Sequence, residues 1–305
     1  MQQPYIAVVG GVNVDICGRS FEPLISRDSN PGRVSMSPGG VGRNIAQNLS
    51  LLGEKVYLLT ALAQDEWEAK IRADCEAHGI DLSRAIQVPD GHTSTYVFLS
   101  DPDGDMALAV CDAKLAEHIT PDYLENQMEL LNAAQAVVID ANLTEEAIDF
   151  LAANVIVPIF ADTVSVTKAR KLRTVLPRIH TLKPNRLEAE ILSGVKITDD
   201  ASLEQAVTVL LDAGVKRVFL SLGTGGLYCA WRGTRLRVPC PEVRTVNTTG
   251  GGDALTAGLV RAYTAGLIGR DGADLALACA AIAVESESTV NPNLSMASAM
   301  QRAGL

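Results

Sequence analysis

Short apolar segments alternate with amphipathic segments along most of the chain. Buried strands are predicted where the residues are mostly Val, Ile, Leu, Ala and Phe: Tyr5–Gly11, Lys55–Ala63, Ala136–Asp140, Pro158–Asp162 and Arg217–Leu222. The apolar spacing predicts helices over Asn44–Leu52, Glu66–His78, Glu145–Ala153, Arg186–Ser193 and Ser202–Ala213. This alternation indicates an α/β fold with a mainly parallel central sheet flanked by helices, which binds ligands beyond the carboxyl ends of its strands.

Two segments depart from this pattern. Cys17–Met36 is polar and rich in turn residues, and Thr93–Leu99 with Met106–Val110 has the pattern of a hairpin whose turn carries Gly104. We expect both to form a small extra sheet over about residues 17–37 and 92–111; a pair of surface excursions is the alternative. No linker divides the chain, so we expect residues 1–305 to form a single domain.

Composition and charge exclude several classes of partner. The 305 residues are 47% hydrophobic but only 4% aromatic, so Ala, Val, Leu and Ile must fill the core. The formal net charge of −10 repels nucleic acids and anionic lipids, so neither is expected as a partner, and any phosphate site must be locally positive. The six cysteines are scattered without a CxxC pair, and the first apolar run is too short for a signal peptide. We therefore expect a cytoplasmic protein with reduced thiols.

The segment Asn247–Leu255 (N-T-T-G-G-G-D-A-L) carries the strongest chemical signal. Gly250, Gly251 and Gly252 stand at the start of a predicted helix, where backbone amides and the helix dipole favour an anion such as phosphate. Asp253 follows at once, placed to act as a base on an incoming hydroxyl, and we expect the positive helix end to keep it ionised at neutral pH. The alternative is a plain helix cap with Asp253 as the capping group.

Two further polar turns precede or follow predicted elements. In Ser37–Asn44 (S-P-G-G-V-G-R-N), Gly40 and Asn44 lie at a helix start, and the third glycine of a dinucleotide fingerprint is absent. In the segment G-G-V-N-V-D, Asn13 and Asp15 project to one side of an extended chain and could bind vicinal sugar hydroxyls. A tight turn and a polar turn are the respective alternatives.

Two more motifs follow strands near the middle of the chain. In K-P-N-R-L-E, Asn185 and Glu188 share one helical face, which suits either Mg²⁺-bound water and phosphate or a simple capping box. In S-L-G-T-G-G, Ser221, Gly223 and Gly225 suit a nucleotide lying over the sheet edge, although no Lys-Ser/Thr of a P-loop follows. A hairpin turn is the alternative for the second motif.

The five motifs, in this order, resemble the ribokinase-like sugar kinases of the phosphofructokinase B type over nearly the whole chain. The resemblance implies a Rossmann-like α/β domain with a small β-sheet lid, ATP and Mg²⁺ as co-substrate and cofactor, and a homodimer formed through the lid. It implies that Asp253 is the catalytic base and that Gly250, Gly251 and Gly252 form the anion hole. It also implies an acceptor site of Asn13, Asp15, Gly40 and Asn44, a magnesium and phosphate site of Asn185 and Glu188, and an ATP site lined by Ser221, Gly223 and Gly225.

Longer segments resemble the members of this family that phosphorylate pseudouridine: Asp28–Val34, Pro38–Leu49, His180–Glu190 and Asn291–Ser295. This resemblance implies transfer to the 5′-hydroxyl of that nucleoside. Ribose, inosine or guanosine, adenosine and fructose phosphate are alternative acceptors within the family. A non-catalytic nucleoside-binding protein and an NAD-dependent oxidoreductase are alternatives of other classes.

The chain departs from the family pattern at two positions. Many members have Asp where this chain has Asn247, and Ala where it has Gly251. That Asp often helps to bind an activating monovalent cation such as K⁺, so the change to Asn247 puts potassium dependence in doubt. Gly251 should still shape the anion hole, with more backbone freedom.

Overall fold

The structure is a computed structural model that describes residues 3–103 and 106–305. Its strands are β1 Ile6–Val9, β2 Asn13–Ser20, β3 Gly32–Gly39, β4 Val56–Leu59, β5 Ala61–Ala63, β6 Ile80–Asp81, β7 Ile86–Val88, β8 Thr95–Ser100, β9 Met106–Asp112, β10 Ala136–Asp140, β11 Ile159–Asp162, β12 Ile179–Lys183, β13 Arg217–Ser221, β14 Leu227–Trp231 and β15 Thr234–Val238. Its α-helices are α1 Val41–Leu51, α2 Glu68–Ala77, α3 Pro121–Glu125, α4 Met128–Ala133, α5 Glu145–Asn154, α6 Val166–Ala169, α7 Arg186–Ser193, α8 Asp200–Asp212, α9 Gly251–Thr264, α10 Gly269–Val284 and α11 Met296–Ala303.

Within the described residues, nine strands form the central sheet in the order β15-β14-β13-β12-β11-β10-β1-β4-β6. The strands from β13 to β6 pair in parallel, and only β14 and β15 at one edge are antiparallel. The predicted mainly parallel sheet is therefore confirmed. Because parallel neighbours point the same way, the carboxyl ends of β1, β10, β11, β12 and β13 lie along one edge.

Helices cover both faces of this sheet, as the alternation of strand side chains requires. On β1, Ile6 and Val8 pack into one core with α1, α2, α9, α10 and α11. Ala7 and Val9 pack into the other core with α3, α4, α5, α7 and α8. In the part of the chain that is described, the helices are too short or too polar to cross a lipid bilayer.

A separate small sheet has the order β3-β2-β8-β9 within the described residues, and we call it the small sheet. Its first strand begins at Asn13, before Cys17, and therefore includes Asn13 and Asp15. Asn13 and Asp15 therefore lie on a strand and not in a polar turn. The role of the small sheet as a lid remains a prediction, and the predicted turn residue Gly104 lies outside the described residues.

The predicted strand Lys55–Ala63 is wrong as a single element. β4 ends at Leu59, and β5 begins at Ala61 and pairs with β7 instead of continuing in the central sheet. The carbonyl oxygen of Thr60 accepts a hydrogen bond from Ile86 (2.8 Å), which holds the chain out of the central sheet at this point. An unbroken apolar run does not reveal such a change of partner.

Helix α9, which carries Asp253, packs directly on α10. Gly258 makes the close approach possible, because a Cβ at this position would lie 2.6 Å from the Cα of Ala276 and 3.1 Å from the Sγ of Cys279. Backbone atoms of α10 cannot move aside as a flexible side chain can. The position of α9 above the sheet therefore depends on the lack of a side chain at Gly258.

We predict that Gly258→Ala lowers the free energy of unfolding, although alanine is the better helix former. Helix propensity alone would stabilise the protein by about 1 kcal/mol, whereas overpacking costs about 1–3 kcal/mol, so we expect a net loss and a lower Tm. Thermal and urea unfolding measure the change in Tm and in the free energy of unfolding, and Ala153→Ser at an exposed position of α5 is the control. A Tm raised by Gly258→Ala would contradict the close helix contact.

Candidate active site

The N-terminus of α9 is open toward the carboxyl edge of the central sheet. Its N-cap is Gly250, whose φ of 88° lies in the left-handed region, and a Cβ there would overlap the carbonyl oxygen of Thr289. The first intrahelical bond runs from the amide of Ala254 to the carbonyl of Gly250 (3.0 Å). The amides of Gly251, Gly252 and Asp253 precede that bond, so they remain free of intrahelical acceptors and can bind an anion.

The carboxylate of Asp253 points to α1 instead of capping its own helix. Its Oδ2 accepts a hydrogen bond from Nδ2 of Asn44 (2.8 Å), and no side chain of the described residues caps α9. The capping alternative is therefore wrong. Asn44 and Asp253 are 209 positions apart in sequence, yet they are brought together by the packing of α1 against α9.

The expectation that Asp253 is ionised at neutral pH is also wrong for the protein without ligands. Burial, with only 9% of the residue exposed, and the neighbouring carboxylate of Asp162 raise the pKa of Asp253 to about 8. The hydrogen bond from Asn44 and the charge of Lys183 act in the opposite direction but do not compensate. Desolvation is thus the largest influence on the ionisation of this carboxyl group.

A buried ammonium group lies beneath the start of α9. Nζ of Lys183 is 3.0 Å from Oδ2 of Asp162, which also accepts a hydrogen bond from Oγ1 of Thr256 (2.7 Å). A Cβ on Gly252 would lie 3.0 Å from the same Nζ, so glycine leaves room for the ammonium. Burial alone lowers the pKa of Lys183, but Asp162, Glu188 and Asp253 together raise it above its ordinary value. Lys183 therefore stays charged.

Asp140 lies at the carboxyl end of β10 and organises the turn after β1. Its carboxylate accepts hydrogen bonds from the backbone amides of Gly11 and Asn142, both at 2.8 Å. Burial nevertheless raises the pKa of Asp140 above its ordinary value. Because its carboxylate binds these backbone amides, we assign Asp140 a structural role: it holds the turn that forms one wall of the site.

On the small sheet, Asn13 and Asp15 project to the same side, as the sequence predicts. Nδ2 of Asn13 donates to Oδ1 of Asp15 (2.9 Å), and Asp15 is only 7% exposed. Burial raises the pKa of Asp15, while Asn13 and the more distant Arg43 oppose this effect. A Cβ on Gly39, in the neighbouring strand, would overlap the Asp15 carboxylate, so the glycine is required here.

A cavity of about 500 Å³ lies between the small sheet and the carboxyl edge of the central sheet. Its walls bring together six of the predicted site residues: Asn13, Asp15, Gly40, Asn44, Gly250 and Asp253. The opposite wall carries polar groups that the motifs did not indicate, notably Lys168, whose Nζ donates to Oδ1 of Asn142 (2.6 Å). The size is within the range of small-molecule sites.

The residues predicted to hold magnesium and nucleotide lie at the ends of β12 and β13 and do not line this cavity. Oδ1 of Asn185 accepts from the amide of Glu188 (2.9 Å), and Oε2 of Glu188 accepts from the amide of Asn185 (2.8 Å), so the capping box is confirmed. Ser221 is bridged to Asn185, and the following turn over Gly223–Gly225 leads into antiparallel β14, as a hairpin requires. Nucleotide and magnesium binding by these residues remain predictions.

Asn247 joins two loops beside α9. Its Oδ1 accepts from the amide of Thr249 (2.9 Å), and its Nδ2 donates to the carbonyl of Glu287 (3.1 Å). It faces a neighbouring cavity of about 500 Å³ that shares Asp15 with the first. A monovalent cation at Asn247 remains a prediction.

Sequence motifs missed three charged residues of the site. Asp140, Asp162 and Lys183 are each the last residue of a buried parallel strand. A polar residue that ends an apolar strand of an α/β sheet is itself a signal, since ligands bind at that edge. The motif K-P-N-R-L-E contains Lys183, but only the adjacent strands show what it contacts.

Residues 3–296 match the model of the pfkB family of carbohydrate kinases. The chain is 37% identical to the pseudouridine kinase of Escherichia coli (strain K12), over 97% of this chain and 95% of that protein. It is 39% identical to the uncharacterized sugar kinase YeiI of the same organism, over 98% of this chain and 83% of that protein.

Solved structures share the fold over the whole chain. The ribokinase of Arabidopsis thaliana complexed with ribose and ATP gives a TM-score of 0.87 at 22% identity and covers 100% of both chains. A structure described as a ribokinase II from Escherichia coli in complex with ATP and Mg²⁺ gives 0.84 at 17% identity, covering 98% of this chain and 99% of the other. The ribokinase-like fold inferred from the motifs is thereby confirmed. The chain therefore belongs to the pfkB family of carbohydrate kinases and is a phosphotransferase that acts on an alcohol group of a sugar or nucleoside.

Proposed function

We propose that the protein transfers the γ-phosphoryl group of ATP to the 5′-hydroxyl of pseudouridine. The observation that carries this proposal is the position of Asp253, whose carboxylate lies in the wall of a nucleoside-sized cavity and directly follows the free amides of Gly251 and Gly252. A hydroxyl held near Asp253 and a phosphate held on those amides would be neighbours. Phosphoryl transfer depends mainly on such positioning, because its transition state is loose.

The acceptor side of the cavity suits a ribosyl group with a polar base. Asn13 and Asp15 form a rigid, buried pair of polar groups that can hydrogen-bond vicinal hydroxyls. Lys168 and Asn142 on the opposite wall provide a donor and an amide for the carbonyl and N–H groups of a pyrimidine base. The relative that is a pseudouridine kinase supports this choice of acceptor.

The donor side is locally positive in spite of the net charge of −10. The free amides of α9 and the buried ammonium of Lys183 both face the region next to Gly252. Mg²⁺ supplies charge neutralisation for the phosphates of ATP in such reactions. Among the described residues, no group of three His, Cys, Asp or Glu side chains is placed to hold a metal. In this proposal, phosphate oxygens and water molecules provide most of the ligands of Mg²⁺, and Glu188 binds one of those water molecules.

Asp253 takes the proton from the acceptor hydroxyl in this proposal. Its raised pKa, about 8, makes it a stronger base than an ordinary carboxylate but leaves most of it protonated at neutral pH. Turnover should accordingly rise as the pH increases through that pKa, because only the deprotonated form can accept the proton.

We also propose that the protein is a homodimer joined through the small sheet. The face turned away from the cavity exposes large apolar side chains on adjacent strands: Val34, Met36, Val97, Leu99, Leu108 and Val110. A contiguous apolar sheet face of this kind is typical of a protein interface. A second copy of the chain would cover it with the same face, as in a two-fold dimer.

We predict that pseudouridine is phosphorylated with a higher kcat/KM than uridine, inosine, adenosine, ribose or fructose phosphate. The test is ATP-dependent product formation across this panel, read by mass spectrometry. Asp253→Asn is the control and should bind ADP normally but lose about 10²–10⁴-fold in turnover. A preference for another acceptor, with Asp253→Asn still inactive, would overturn the pseudouridine assignment alone. Near-native turnover of Asp253→Asn would overturn the role of Asp253.

We predict that Asp15→Ala raises the KM for the acceptor by at least about tenfold, because a charge-assisted hydrogen bond to a hydroxyl contributes about 1.5–3 kcal/mol. The KM for ATP should change by less than about threefold, since the residues predicted to bind the nucleotide lie at the ends of β12 and β13, outside the cavity that contains Asp15. Steady-state kinetics with each substrate varied in turn measures both values. Equal effects on the two KM values would place Asp15 outside the acceptor site.

We predict that Leu108→Glu dissociates the dimer into monomers. Leu108 is 63% exposed in the isolated chain, and a carboxylate there would be buried unpaired against the partner. Light scattering coupled to size exclusion measures the mass, with Ile156→Glu as the control because Ile156 is 79% exposed after the end of α5. A wild-type chain that is monomeric at all concentrations would contradict the interface.

A further inference from the structure

Arg43 is a buried arginine in the first helix whose guanidinium makes hydrogen bonds to four different groups. It is 3% exposed. Nε donates to the carbonyl of Gly39 (3.2 Å), and Nη1 donates to Oε1 of Gln47 (2.8 Å) and Oδ2 of Asp74 (2.7 Å). Nη2 donates to Oδ1 of Asn44 (2.6 Å). The guanidinium is therefore fixed on three sides and presents a donor to the side chain of Asn44.

The contact with Arg43 decides which end of the Asn44 amide faces Asp253. Asn44 accepts from Arg43 through Oδ1 and donates to Asp253 through Nδ2 (2.8 Å). If the amide rotated by 180°, its NH₂ group would face the Arg43 donors and its oxygen would face the carboxylate of Asp253. The new contact with Arg43 would be repulsive because donor would meet donor, and the new contact with ionised Asp253 would be repulsive because acceptor would meet acceptor.

We infer that Arg43 is a positioning residue that holds the Asn44 amide with its N–H toward Asp253, and so keeps that carboxylate oriented toward the acceptor. This inference deepens the proposed function and rests on the role proposed there for Asp253. Arg43 and Asp74 line the neighbouring cavity that shares Asp15, and neither lines the cavity that contains Asp253. Arg43 acts on the reaction through Asn44, which does line it.

The inference has a definite consequence for the ionisation of Asp253. A hydrogen bond donated by Asn44 stabilises the ionised carboxylate and lowers its pKa, as does the charge of Lys183, whereas Asp162 and Asp140 raise it. Without Arg43, the amide would no longer be held as a donor, and a nearby positive charge would also be lost. Both changes raise the pKa of Asp253 in the same direction.

A purely structural role for Arg43 is the competing explanation. The ion pair between Arg43 and Asp74 joins α1 to α2, and His78 on the far side contacts both Gln47 and Asp74. The same guanidinium also opposes the raised pKa of Asp15. A structural role predicts that loss of either partner of the ion pair has the same effect.

Three variants separate the two explanations. Arg43→Met removes the donor to Asn44, Asp74→Asn breaks the same ion pair but leaves that donor, and the double variant leaves no unpaired carboxylate at position 74. We expect kcat on the best acceptor of the panel to fall about 10–100-fold in both variants that lack Arg43. In the pH profiles of kcat of these two variants, the apparent pKa of the acidic limb should rise by about one unit. In Asp74→Asn, the apparent pKa of the acidic limb should equal the wild-type value or fall, because the substitution removes a negative charge.

Titration of the carboxyl carbons of ¹³C-labelled aspartate by NMR gives a second readout that does not depend on turnover. The signal missing in Asp253→Asn identifies Asp253. Its midpoint should rise in Arg43→Met and in the double variant, and it should not rise in Asp74→Asn. Equal midpoints in Arg43→Met, the double variant and the wild type, or equal shifts in Arg43→Met and Asp74→Asn, would overturn the inference.

The two readouts also separate this inference from the proposed function. A wild-type protein that phosphorylates no acceptor of the panel would refute the proposed function. The NMR midpoints would still decide whether Arg43 controls the bond between Asn44 and Asp253.

Discussion

The ammonium of Lys183 is the charge on which the site depends. It lies buried between the carboxylates of Asp162, Glu188 and Asp253, all of which stabilise its charged form. Without it, several acidic groups would be buried at one sheet edge with no cation among them, an arrangement that costs several kcal/mol per ion, as an order of magnitude. The last residue of β12 thus makes an acidic edge of the sheet compatible with folding and, in the proposed reaction, with binding of a phosphate.

The same cluster explains how a carboxylate can serve as a base at this position. Asp162 and burial raise the pKa of Asp253, while Asn44 and Lys183 limit that rise. A group whose pKa is close to the working pH combines basicity with a useful fraction of the deprotonated form. Desolvation is the largest influence on this pKa, and the position of Asp253 at a helix start does not reveal it. The ionisation of Asp253 thus depends on a balance of several charges and burial, and not on one motif.

The sequence predicted the parallel sheet and many of its helices because their periodicity is local. Ala136–Asp140 and Arg186–Ser193 were predicted with the bounds that the structure has. Helix α10 was not predicted as an element, because its Ala-rich sequence is apolar on nearly all sides and lacks a polar stripe. The first segment of the small sheet was predicted too short at both ends, since G-G-V-N-V-D reads as a turn until its partner strands are known.

The candidate site was predicted in part for a related reason. Glycine-rich turns and a following carboxylate indicate a phosphate site by themselves, and six of the predicted residues meet in one cavity. The contacts that tune them join residues far apart in sequence: Asn44 and Asp253 differ by 209 positions, and Asp162 and Thr256 by 94. No local pattern encodes such contacts. Arg43 illustrates this, because its place in G-G-V-G-R-N gives no hint of Asp74 or of the amide it holds.

The most direct test of the central claim is a crystal structure of the protein with pseudouridine and a non-hydrolysable ATP analogue. We expect the 5′-hydroxyl within about 3 Å of the Asp253 carboxylate, as hydrogen-bond reach requires, and the terminal phosphate on the amides of Gly251 and Gly252. A nucleoside bound with its 5′-hydroxyl away from Asp253, or a terminal phosphate bound elsewhere, would contradict the claim.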